Sequence, residues 1–295
     1  MKKYYQIILY LLIFLLACTN QQKHEEEIKN LTMNMKENNK PIKLQEYYRF
    51  PSPKDVMGSM RDVNIEFNSK ILLSSEKIPN VVGSINQQLL MGMYFTNFGY
   101  SLAEKKYNLS RKYFKNLLAL GADTRLTDYI DPGLQQRIEK NHDNIDSLEM
   151  VSDEVYQSIF NYLEVSESEQ TIAMVSAGSI IEALHVGFGI VNNCENIPYE
   201  LSQKIAAQKY TLANLISYMD DISMNETALH VRDTLFEILI LFDEIPVKKS
   251  ATKVKKQSGS IILSGGETFT ITGELCTKIK KKIAAARSGI LDSSF

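Results

Sequence analysis

Thr171 to Val191, TIAMVSAGSIIEALHVGFGIV, sets apolar side chains on every side of a helix: Ile172, Ala173, Met174 and Val175, then Ile180, Ile181, Ala183, Leu184, Val186, Phe188, Ile190 and Val191. A helix without a polar face is buried all round. A run of about 20 apolar residues is also long enough to cross a bilayer. Glu182, at mid-length, opposes that reading, because a carboxylate at the bilayer centre costs roughly 2.5–3.5 kcal/mol. The stretch therefore predicts the central core helix of a folded domain. Gly178, Gly187 and Gly189 predict close packing by its neighbours.

The flanking sequence supplies helices to surround it. After Pro198, the residues Leu201, Ile205, Leu212, Leu215, Met219 and Ile222 share one face. Ala228, Val231, Leu235, Ile238, Leu239 and Phe242 form the next stripe, which Pro246 ends. Towards the N-terminus, Ile85, Leu89, Met93, Thr96, Tyr100 and Ala103 recur every three or four residues within 82–106. Gly92 and Gly99 lie near one side there, and glycine inside a helix costs close to 1 kcal/mol, so a close helix contact is expected. A second helix from Ser110 turns Tyr113, Phe114, Leu117 and Leu118 inward and ends at Leu120-Gly121, where glycine suits a C-terminal cap. Two more are expected between Asp123 and Val165, one opened by Asp131-Pro132-Gly133 and one carrying Leu148, Val151, Val155, Ile159 and Tyr162. Connections this short favour antiparallel neighbours.

The C-terminal part changes character. Lys248 to Lys256 reads as a basic linker, and Ser260–Leu263 and Thr268–Thr272 read as strands around a Gly265-Gly266 turn. A last helix follows, with Leu275, Ile279, Ile283 and Ala286 aligned. The fold class predicted is all-α: an antiparallel bundle or array of about seven to eight helices with a small C-terminal β-hairpin and final helix. The helical domain spans 47–245, and 246–295 holds the linker, hairpin and last helix packed on it. At its near edge, Pro51 and Pro53 hold the chain extended, and Ser52 can cap a short helix behind the aromatic run Tyr47–Phe50.

The N-terminus is of another kind. Lys2 and Lys3 precede an uncharged apolar run from Ile7 to Leu16, and Leu15-Leu16-Ala17-Cys18 ends it with a small residue and a cysteine. This is the pattern of a bacterial lipoprotein signal peptide, here 1–17. Cys18 would become the first residue, with diacylglycerol on its thiol and a further acyl chain on its amino group, an anchor far stronger than one chain. Residues 18–46 are polar and read as a flexible tether, which as a coil of about 27 residues reaches on the order of 30 Å. Within it, Lys23-His24-Glu25-Glu26-Glu27 reads either as a solvated spacer or as an acidic signal for export to the cell surface. The localisation expected is the outer membrane, on its periplasmic face or at the surface.

Composition narrows the partners. Removing Lys2 and Lys3 lowers Lys plus Arg from 33 to 31 against 35 Asp plus Glu, a net charge of −4, which argues against nucleic acid. The partners expected are the membrane, through the lipid, and an envelope protein or component. Cys194 and Cys276 form no C-x-x-C motif. An oxidising compartment permits a disulfide between them, and two buried thiols are the competing reading.

Most catalytic templates are absent: no G-x-S-x-G, no G-x-x-x-x-G-K and no H-E-x-x-H occurs. No cofactor is expected. Glu139-Lys140-Asn141-His142 and Glu182-Ala183-Leu184-His185 both repeat Glu-x-x-His, the spacing that puts a carboxylate and an imidazole on one helix face in di-iron bundles. Such a centre needs two further glutamates from partner helices, and no periodic face offers them. A satisfied buried polar pair at Glu182 and His185 is the other reading, and a metal-dependent enzyme is the alternative function.

Phe50-Pro51-Ser52-Pro53-Lys54-Asp55-Val56, Gly92-Met93-Tyr94 leading to Tyr100, Ile138-Glu139 with Asn144 to Leu148, Ile181-Glu182-Ala183, and Gln208 to Leu212 together resemble a family of uncharacterised all-helical lipoproteins of Gram-negative bacteria. The likeness covers about 50–290. It implies an all-helical lipoprotein and carries over no catalytic residue. The function expected is therefore a lipid-anchored envelope protein that binds or scaffolds rather than catalyses.

Overall fold

A computed structural model describes residues 67–123, 168–257 (192 excepted) and 260–295, the backbone alone for 251–257 and 260–265, and isolated positions between 136 and 166. Cys18, the signal peptide, the tether, the Tyr47–Val56 entry, and Glu139 with His142 lie outside the described residues.

Six helices and one two-stranded sheet make up the described fold: α1 Ser84–Ala103, α2 Tyr107–Asp123, α3 Glu169–Gly189, α4 Tyr199–Asp221, α5 Glu226–Asp243, β1 Val247–Gln257, β2 Ser260–Phe269 and α6 Gly273–Leu291. A 3-10 turn, Ser69–Ile71, precedes α1. Local chemistry sets several of the ends. Pro198 stands immediately before α4. Asn225 Oδ1 accepts from Ala228 N at 2.9 Å to cap α5, and Thr272 Oγ1 accepts from Leu275 N at 3.3 Å to cap α6. Gly121 lies inside α2, which runs on to Asp123, so the predicted glycine cap is corrected.

The central element is α3. It packs against α1, α4, α5 and α6, and most of its residues are buried, as expected of a helix without a polar face. Among the described residues it is the one helix long and apolar enough to cross a membrane, and 83% of its most apolar window is buried in the protein. Its crossing with α1 is set by glycine. A Cβ on Gly92 would lie 2.0 Å from the Val175 carbonyl oxygen, and one on Gly178 would lie 1.9 Å from that of Leu89. The two backbones touch, and hydroxyls join them: Thr96 Oγ1 donates to Ser179 O at 2.9 Å, and Ser179 Oγ donates to Gly92 O at 3.0 Å.

The hairpin differs from its prediction. Lys248–Lys256 is no linker but most of β1, which pairs antiparallel with β2 from Val247↔Phe269 to Gln257↔Ser260. The strand pairing therefore runs past Gly265-Gly266 as far as Gln257 and Ser260. Gly265-Gly266 lies within β2, where Gly266 takes φ +111° beside a register irregularity between Ser250 and Lys253. Glycine inside a strand marks a bulge as readily as a turn, and lysine is a residue that natural edge strands carry. The base of the hairpin is fixed to α4 by Gln203, whose Nε2 donates to Phe269 O at 2.7 Å while its Oε1 accepts from Phe269 N at 2.8 Å.

Candidate functional site

Glu182 sits at the middle of α3 with none of its surface exposed. A bare carboxylate there would carry a desolvation cost of several kcal/mol. Two residues from other helices offset it. Arg287 of α6 donates from Nε to Oε2 at 2.7 Å and from its second nitrogen to Oε1 at 3.3 Å, a two-pronged charge-assisted contact. Asn97 of α1 donates from Nδ2 to Oε1 at 2.7 Å. The glutamate therefore joins α1, α3 and α6 at one point.

Asn97 extends the network outward. Its Nδ2 also donates to Met93 O at 2.7 Å, and its Oδ1 accepts from Leu73 N at 2.9 Å. Leu73 belongs to a strap, residues 71–75, that lies across three helices with its backbone bonded to their side chains. His185 Nε2 meets Ile71 O at 3.1 Å, Tyr113 OH donates to Leu73 O at 2.7 Å, Tyr94 OH to Ser74 O at 2.9 Å, and Asn116 Nδ2 to Ser75 O at 3.1 Å. An extended segment has no ladder of its own, so these side chains take the place of one.

The titrations fit a structural centre. Burial, and after it the Glu182 charge, pushes the Tyr94 hydroxyl up to about 12. Burial likewise raises Tyr113, so both phenols stay protonated and donate. His185 is lowered: burial outweighs the opposing pull of Glu182, and Arg287 adds to the lowering. A neutral imidazole with its proton on Nε2 is the form that donates to the Ile71 carbonyl.

Of the expected site residues, Glu182 and His185 are described and take different hydrogen-bond partners, although the Glu182 charge acts on the imidazole. The carboxylate is taken by Arg287 and Asn97, and the imidazole by Ile71. Among the described residues no three His, Cys, Asp or Glu side chains are placed to hold a metal ion. Cys194 and Cys276 are joined as a disulfide with Cα atoms 5.7 Å apart, linking the α3–α4 connection to α6. Sequence reasoning missed Arg287 and Asn97. Each lies on a helix whose apolar stripe was read correctly, but 105 and 85 positions separate them from Glu182. The one available signal was the charge itself, because a buried glutamate requires a partner.

With this geometry in hand, comparison adds nothing further: no protein-family model, no curated protein and no solved structure matches the chain.

Proposed function

We propose that this protein is a lipid-anchored lipoprotein of the bacterial outer membrane that binds or scaffolds an envelope component and performs no chemistry of its own. The observation that carries the reading is the uncharged apolar run ending in Leu15-Leu16-Ala17-Cys18. Two structural facts support it. The Cys194–Cys276 disulfide suits an exported chain, since such bonds persist in oxidising compartments. The Glu182 centre has the composition of an active site but is closed, with both carboxylate oxygens bonded to Arg287 and Asn97 and no surface open to a substrate. The full fold in this reading is an antiparallel array of seven to eight helices, and the helical backbone at Gln136, Glu154, Phe160 and Leu163 supports further helices between α2 and α3.

Fractionation of cells tests the anchor. Wild-type protein partitions into the membrane and incorporates labelled palmitate, whereas Cys18→Ala does neither once the leader is cleaved. A Cys18→Ala protein that stays firmly membrane-bound after cleavage overturns the reading.

A further inference from the structure

Beside the strap, a groove of about 940 Å³ opens at the corner where α1 gives way to α2. Phe67, Leu72, Leu109 and Tyr113 give it apolar and aromatic walls. Lys70, Lys105, Lys106 and Lys112 also line it, against one carboxylate, Glu76. Glu76 is ion-paired with Lys112, so that pair is neutral. Lys70, Lys105 and Lys106 have no carboxylate partner among the described residues. Lys106 lies over the Phe67 ring, its Nζ 5.2 Å from the centroid, and Lys105 holds the corner in a left-handed conformation at φ +57°. The first turn of α2, which starts in the wall at Tyr107, contains no acidic side chain, so the positive end of that helix adds to the same field. The whole chain has a formal charge of −2, so gathering unopposed cations on one concave surface is a local segregation of charge.

The lining specifies what the groove suits. Cations beside apolar walls fit a headgroup that carries its phosphate next to glycerol and acyl ester, whereas a free phosphate ion would gain nothing from Phe67 or Leu72. We infer that this groove is a membrane-docking surface that takes the phosphate headgroups of anionic lipids, a second contact for a protein tethered at Cys18. The inference rests on the anchored reading and names the side of the folded domain that faces the bilayer.

The test uses the mature chain from residue 18, unacylated and carrying Cys18→Ser, in flotation with vesicles. It should float with mixed phosphatidylcholine and phosphatidylglycerol vesicles and not with phosphatidylcholine alone, and added salt should weaken the association. Each basic side chain near an anionic surface contributes about fivefold, so Lys70→Gln, Lys105→Gln and Lys106→Gln combined should lower vesicle affinity on the order of 100-fold. A charge-matched variant, Lys248→Gln, Lys278→Gln and Lys281→Gln, should bind nearly as wild type. Circular dichroism and urea midpoints confirm that both variants are folded.

Equal losses in the two triple variants would reduce the effect to net charge and overturn the inference, as would binding to neutral vesicles or no binding at all. Displacement by inorganic phosphate beyond that by chloride at equal ionic strength would make the groove a site for the free ion and also overturn it. An unacylated chain that fails to float, with wild-type protein held by Cys18 in cells, removes the groove and leaves the anchor standing. Flotation that depends on the groove, with Cys18→Ala still membrane-bound in cells, removes the anchor instead.

Discussion

Glu182 carries a charge into the interior, and its energetics depend on keeping its partners. Breaking a buried pair by removing one member leaves the other charge uncompensated, typically at 3–5 kcal/mol. Arg287→Ala is expected near the lower end, about 3 kcal/mol, because Asn97 keeps one hydrogen bond to the carboxylate. Replacing both groups, Glu182→Gln with Arg287→Met, should cost less than Arg287→Ala alone. Urea denaturation of the three proteins checks the order, and a double variant less stable than Arg287→Ala refutes it. His185 gives a prediction in pH. Its pKa in the folded protein is lowered, so the unfolded chain binds the proton more readily below about pH 6.5. Stability from the neutral ring is present above that pH and is lost as pH falls through it. His185→Gln, which keeps an N–H for Ile71 O, should flatten the decline between neutral and mildly acidic pH, as read from urea midpoints across that range; an unchanged slope would show that this imidazole is not its source. The sequence marked Glu182 and His185 by their spacing on one helix face. It could not show that they serve different partners, because Arg287 and the strap come from distant parts of the chain.

At the scale of elements, the α1–α3 contact tests how far glycine sets the fold. Alanine in place of a helical glycine gains up to about 1 kcal/mol in propensity. At Gly92 and Gly178, however, the new methyl would meet backbone oxygen at 2.0 and 1.9 Å, and backbone has no rotamer by which to yield. Overpacking typically costs 1–3 kcal/mol, so either substitution should destabilise by about that much. At Gly289 the added Cβ meets the Phe295 ring at 3.0 Å, a terminal side chain able to move, and Gly289→Ala should be near neutral. Thermal unfolding of the three variants separates these outcomes, and equal effects at Gly92 and Gly289 would refute the argument from backbone contact. This contact was legible because a glycine inside an otherwise regular stripe costs stability and so asks for a reason. The hairpin was not. Lys248 to Lys256 shows charge without strict alternation, and Gly265-Gly266 gives the same signal whether the chain turns or bulges. The deciding fact is the pairing of Val247 with Phe269, which no local pattern contains.

For the molecule as a whole, the Cys194–Cys276 bond closes a loop that contains α4, α5 and the hairpin and ties α6 back to the far end of α3. Elsewhere that region is held by side chains: Gln203 on β2, Lys280 Nζ to Val191 O at 3.1 Å, and the apolar faces of α4, α5 and α6. A cross-link acts largely by restricting the unfolded chain, and a separation of 82 residues makes that restriction large. Typical native disulfides contribute about 2–4 kcal/mol, a sizeable part of a total stability of about 5–15 kcal/mol. Cys194→Ala with Cys276→Ala should therefore lower the urea midpoint substantially. It should not abolish folding, because the α1–α3 contact and the Glu182 centre do not use the bond. Loss of all structure would mean that the helices surrounding α3 cannot assemble without the cross-link. An unchanged midpoint would mean that the loop is already restrained in the unfolded chain. Between those outcomes, the double variant should keep the far-ultraviolet signature of wild type and unfold earlier, as expected of a bond that supports a fold already specified by its central helix.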